Sequence, residues 1–163
     1  MTAPPSSPGA PRGAVVVDAN VAVAIAAKEA GRDVKAAAAL NTYAARGYEW
    51  FAPGAILTET LYALCQKYQA GMLTTIEYED AVSTLEVLMS TLLPAPDGEV
   101  SLVRRAHKIG DNYGCSRSAD TVYIALAEEL TRTRPTVLLT FDQGIPNQAA
   151  RNAPIVIVQV LTI

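Results

Sequence analysis

The chain has 163 residues, half of them hydrophobic and 18% charged, which predicts one domain with a core large enough to need no metal or disulfide for stability. That balance excludes a disordered chain or a coiled-coil rod as the main body. Thirteen Lys and Arg against sixteen Asp and Glu give a net charge of -3. This excludes a protein that holds nucleic acid chiefly by neutralising phosphates, but not a nuclease that meets a polyanion through a divalent cation.

Residues 1–13 are rich in Pro, Ser, Ala and Gly and read as a flexible tail, because they carry too little apolar surface to offset the entropy of ordering. The folded domain is expected over residues 14–163. It opens on Ala14-Val15-Val16-Val17, a β-branched run of the kind buried on both faces in a parallel sheet, which ends in Asp18. Ala-rich helices are expected from Val21 to Ala30 and from Asp33 to Arg46, the second stopped by Gly47. A second strand spans Tyr48 to Ala52 and is closed by Pro53 and Gly54. The next helix runs from Ala55 to Gln69 and ends at Gly71.

Thr74-Thr75-Ile76-Glu77 reads as a capping box opening a helix that carries Val82, Leu85, Val87, Leu88 and Met89. Leu92-Leu93 forms a short strand in this reading, and Pro94 to Gly98 a turn. Val100, Val103, Ala106 and Ile109 then recur at helical spacing, broken by Asp111-Asn112-Tyr113-Gly114. Ser118 is a natural N-cap for a helix from Ala119 to Leu130. Thr136 to Phe141 forms the next strand, with Asp142 at its exit. A short helical turn near Gly144 and Pro146 and a last strand from Ile155 to Val160 complete the chain. Uniformly apolar strands separated by helices define an α/β fold, a mostly parallel sheet covered on both faces, with functional groups at the carboxyl ends of its strands.

Asp18 and Asp142 both follow buried strands, so both project from one edge of such a sheet. Asp120 stands in the first turn of a helix that begins near that edge, and Glu59 lies early in the helix after the second strand, facing inward among Ile56, Leu57, Leu61 and Leu64. Carboxylates so gathered repel one another unless protonated or bound to a cation. Oxygen donors without a Cys or His cluster select hard ions, Mg²⁺ or Mn²⁺.

The order Val15-Val16-Val17-Asp18-Ala19-Asn20, Thr58-Glu59-Thr60-Leu61, Ser118-Ala119-Asp120-Thr121-Val122-Tyr123 and Leu138-Leu139-Thr140-Phe141-Asp142 resembles the PIN domain family across nearly the whole chain from Ala14. The resemblance implies a three-layer α/β/α sandwich and a metal-dependent ribonuclease of the kind found among VapC-type toxins of bacterial toxin-antitoxin pairs. It further implies that Asp18, Glu59, Asp120 and Asp142 form a catalytic Mg²⁺-binding cluster, with Mn²⁺ as a substitute and Asn20 and Thr140 as polar support. RNA is then the substrate and a small antitoxin the partner. Arg104, Arg105, Lys108 and Arg117 are the candidates for phosphate contacts, although charges at such positions are commonly a solvated face.

The remaining features have plainer readings. A mean hydropathy of +0.19 suggests surface covered by another chain, such as a homodimer partner. Cys65 is expected as a buried reduced thiol, and two cysteines are too few for a disulfide framework, which implies a cytoplasmic protein. No run approaches the ~18 apolar residues of a membrane span, and Asp18 spoils a signal-peptide core. His107, the only histidine, is expected at the surface, as are Glu128 and Glu129. Tyr62 and Tyr123 read as packing residues. Two rival functions remain: a non-catalytic PIN-like scaffold for other proteins, and a phospho-acceptor domain, which the lack of an adjacent acidic pair after the first strand disfavours.

Overall fold

A computed structural model describes residues 12–112, 114–115 and 118–163. Tyr113 and Arg117, the Ser118 side chain expected to cap a helix, and nearly all of the expected N-terminal tail lie outside the described residues.

Four strands, β1 (Ala14–Val17), β2 (Glu49–Phe51), β3 (Thr136–Thr140) and β4 (Ile157–Val160), form one sheet in the order β2-β1-β3-β4. Every pairing is parallel. β1 and β3 occupy the centre and are buried at every residue, which accounts for their continuous apolar runs. Leu93 adds only an isolated parallel bridge to Phe51 rather than the expected strand, because Pro94 at once removes the next donor.

Seven α-helices complete the described chain: α1 (Ala19–Ala26), α2 (Arg32–Ala45), α3 (Ala55–Gln69), α4 (Thr75–Thr91), α5 (Val103–Asp111), α6 (Ser118–Thr131) and α7 (Ile145–Asn152). A 3-10 turn at Glu99–Leu102 leads into α5. One sheet face, with Val15, Val17, Val137 and Leu139, packs on Val21, Ala24, Ala36 and Leu40 of α1 and α2. The other, with Ala14, Val16 and Leu138, packs on Ile109, Ile124, Leu126 and Ile145 of α5, α6 and α7. Val23, Ala26, Leu64, Ala81 and Leu85 form a third cluster that joins α3 and α4 to α1. This is the expected arrangement of helices on both faces of a parallel sheet.

Local chemistry sets the boundaries. α1 starts earlier than its Ala-rich run suggests, because Asp18 accepts from the Ala19 N–H at 2.7 Å and so turns the end of the strand directly into a helix. Lys28 then takes positive φ, and α1 ends at Ala26, well before Ala30. Gly47, at φ +80, closes α2 in the left-handed region that favours glycine. The capping box forms as read: the Thr74 hydroxyl accepts from the Glu77 N–H, and the Glu77 carboxylate accepts from the Thr74 N–H.

Three expectations need correction. Cys65 is exposed, because α3 buries the stripe Ile56, Thr60 and Leu64 and the next residue turns outward. Val100 and Val103 face solvent, leaving Ala106 and Ile109 as the buried face of α5. Glu128 is buried, and its carboxylate is gripped by Arg105 at 2.7 and 2.8 Å and by Arg132 at 3.1 Å. Arg105 also donates to the Asn152 carbonyl at the end of α7. Glu128 therefore ties α5, α6 and α7 together, a role invisible in a pair of adjacent glutamates. Replacing Glu128 with Gln is expected to cost about 1–3 kcal/mol in urea unfolding, since a charge-assisted fork becomes a neutral contact that leaves Arg105 partly unsatisfied.

Candidate metal centre

In a parallel sheet the segments that follow β1 and β3 leave by the same edge. α6 leads down into the start of β3, so its first turn, with Asp120, lies at that edge too. α3 follows β2 through Pro53 and Gly54 and presents Glu59 in its second turn. Sheet topology thus gathers four acids from four separate stretches of chain.

Asp18 is the most deeply set, 5% exposed at the β1–α1 junction. Its Oδ1 accepts from the Ala19 N–H, and its Oδ2 accepts from the Thr140 hydroxyl at 2.6 Å and from Asn20 Nδ2 at 2.9 Å. Asn20 Nδ2 also donates to Thr140 Oγ1, while Asn20 Oδ1 accepts from the Phe141 N–H. Thr140 Oγ1 in turn accepts from the Asp142 N–H at 2.9 Å. Asn20 and Thr140 therefore lock the exit of β1 to the exit of β3. Asp142 is half-buried, and its Oδ1 accepts from the Gly144 N–H.

Glu59 and Asp120 are also half-buried. The hydroxyl of Tyr123, a residue buried on α6, donates to Glu59 Oε2 at 2.9 Å. Gln148, buried on α7, donates from Nε2 to Asp120 Oδ2 at 3.2 Å. Neither contact is apparent from the sequence. Tyr123 sits where packing alone accounts for it, and Gln148 lies among Asn and Ala with no spacing signal. Tyr62 is 64% exposed on α3, so the two tyrosines do not share a role.

The electrostatics show that three of the acids feel one another. Burial pushes the Asp18 carboxyl from 3.8 up to about 7, and the nearby Asp120 and Glu59 charges push the same way, against the hydrogen bonds from Thr140 and Ala19. Burial likewise raises Glu59, with the Tyr123 hydrogen bond opposing and Asp120 adding to the rise. Among the described residues no Lys or Arg pairs with Asp18.

This donor set fits a hard divalent cation in kind: all oxygen, one carboxylate nearly fully desolvated, and like charges held close. Among the described residues no three Asp, Glu, His or Cys side chains close around a common point as a preformed cage would.

The candidate phosphate contacts are not gathered with the acids to the same degree. Arg105 is committed to Glu128, two turns along α6 from Asp120 or about 12 Å of helix axis. Arg104 and Lys108 are exposed on α5, as is His107, which stands 3.4 Å from Asp111. Arg117 lies outside the described residues.

The PIN domain family model matches residues 15–151, and the chain belongs to that family. Its members are generally nucleases that use divalent metal ions. The fold is shared with a chain in the crystal structure of VapBC2 from Rickettsia felis bound to a DNA fragment from their promoter. Identity to that chain is 13% and the TM-score is 0.61, with 91% of this chain and 99% of that one covered. No curated protein matches this chain. Among the described residues no helix is long and apolar enough to cross a membrane.

The raised Asp18 carboxyl predicts a particular pH dependence. Between the unfolded value near 3.8 and the folded value near 7, the native state binds more protons than the unfolded state, so stability falls as pH rises through that window. Thermal unfolding in chelator is expected to show this decline between pH 4 and about 7, and Asp18→Asn to flatten it. An unchanged slope in the variant would contradict the assignment.

Proposed function

We propose that this PIN domain is a Mg²⁺-dependent endoribonuclease, the toxin component of a type II toxin-antitoxin pair. The observation that carries the reading is the desolvated Asp18 carboxylate, set among the like charges of Asp120 and Glu59 with only neutral donors around it. Such an arrangement is costly for a fold and useful to a cation site.

Asp18, Glu59, Asp120 and Asp142 would hold the ion, Mg²⁺ or Mn²⁺. The chemistry it supplies when bound is activation of a water nucleophile and neutralisation of charge at the phosphodiester. The chain's own residues orient the ligands. Thr140 and Asn20 fix Asp18 Oδ2, and Tyr123 holds Glu59 Oε2 while Oε1 has no hydrogen bond among the described residues. With a net charge of -3, the protein supplies little phosphate affinity through a basic face. Substrate engagement then rests on the ion, with Arg104 and Lys108 of α5 as outlying contacts and Arg117 as a further candidate.

The antitoxin partner follows from the VapC-type resemblance, together with the fold shared with a chain of the VapBC2 complex. A homodimer is supported by exposed apolar side chains, among them Leu57, Leu61 and Tyr62 on α3. Sedimentation that returns a monomer would remove the dimer, and capture from native cells without a small protein partner would remove the antitoxin; neither touches the nuclease.

The direct test is cleavage of a mixed pool of structured and single-stranded RNAs with Mg²⁺ or Mn²⁺. Asp18→Asn and Asp120→Asn are each expected to reduce cutting by about 100-fold or more, the range lost with catalytic carboxylates. Absence of both cutting and cation binding in the wild type would favour the non-catalytic scaffold instead.

A further inference from the structure

Gln148 is 2% exposed, on the inner face of α7 beside Ile145 and Ala149. Its amide is only half used. Nε2 donates to Asp120 Oδ2, whereas Oε1 is buried without a hydrogen-bond partner. The orientation of the amide is settled by chemistry, since the flipped form would set a carbonyl oxygen against a carboxylate oxygen.

A buried glutamine with an orphaned acceptor is a poor device for stability. Methionine has nearly the same length and volume, fills the same space and leaves nothing unsatisfied. The one side-chain hydrogen bond Gln148 makes reaches across from α7 to Asp120 in the first turn of α6. Position and cost together single out the carboxylate as the reason for the amide.

We propose that Gln148 is the positioning residue of Asp120: it fixes the carboxylate at the strand edge so that cation binding need not also order it. This rests on the reading of the acids as a cation site and adds to it a residue from α7, an element that supplies none of the four acids. Tyr123 performs the corresponding service for Glu59, and Thr140 and Asn20 for Asp18. Each is a neutral donor, which orients a carboxylate without cancelling the charge that attracts the ion.

The test is Mn²⁺ binding, followed through the electron paramagnetic resonance signal of free Mn²⁺, for wild type and Gln148→Met, with thermal unfolding in chelator alongside. Loss of a residue that orients a ligand costs about 10–100-fold in metal affinity, so the Kd of Gln148→Met is expected to rise at least about tenfold. Its Tm should stay within about 4 °C of wild type or exceed it, the shift expected for about 1 kcal/mol in a chain of this size. Equal Mn²⁺ affinity in the two proteins would overturn the role of Gln148 and leave the cation site intact. Failure of the wild type to bind Mn²⁺ would instead overturn the cation site itself. A fall in Tm with unchanged affinity would make Gln148 a packing residue. Should the variant not fold, Mg²⁺ titration of wild type followed at the Gln148 side-chain amide by NMR decides the matter. Displaced signals support the role, and unmoved signals at saturation overturn it.

Discussion

The structure turns on one desolvated carboxylate. Asp18 ends the central strand, caps the helix that follows and accepts from Thr140 and Asn20, so that β1, α1 and the exit of β3 are joined through its two oxygens. The hydrogen bonds favour the ionised form. Burial and the neighbouring charges of Asp120 and Glu59 oppose it strongly enough to bring the group to about 7. Hydrogen bonding on one side and desolvation with like-charge repulsion on the other therefore compete at the point where sheet and helix meet, and in the proposed reading a divalent cation would resolve the competition by supplying positive charge.

The rest of the fold keeps that point in place. The order β2-β1-β3-β4 sets β1 beside β3, which brings Asp18 and Asp142 to one edge. Glu128, clasped by Arg105 and Arg132, fixes the far end of α6 against α5 and α7. Asp120 at the near end is thereby held from a distance. A buried ion pair makes a modest contribution to net stability but is costly to break, so its use here is in joining three helices in one arrangement.

The elements that position the acids were readable because each is governed by neighbouring residues. The apolar run ending at Asp18, the helix over 55–69 and the capping box at Thr74 and Glu77 follow from local chemistry alone, and parallel-sheet geometry then places the acids. Contacts between distant elements were not readable. Glu128 and Glu129 look alike in sequence, but only one meets Arg105. Cys65 follows a buried leucine on a helix with a narrow buried stripe, so an apolar stretch misrepresented its face. Gln148 carries no pattern at all, since its relation to Asp120 exists only once α7 has packed beside α6. Of the neutral donors that hold the candidate acids, Asn20 and Thr140 were named through the family resemblance, whereas the contacts of Tyr123 and Gln148 were not.

The most direct measurement is calorimetric titration of Mn²⁺ into cation-stripped protein at pH 7, in two buffers of different ionisation enthalpy. An ion that binds the Asp18 carboxylate must displace the protons held by a group titrating near 7. The account predicts net release of roughly half a proton per ion at pH 7, vanishing by about pH 9 and absent in Asp18→Asn. Binding heats independent of buffer in the wild type, or no binding at all, would contradict it.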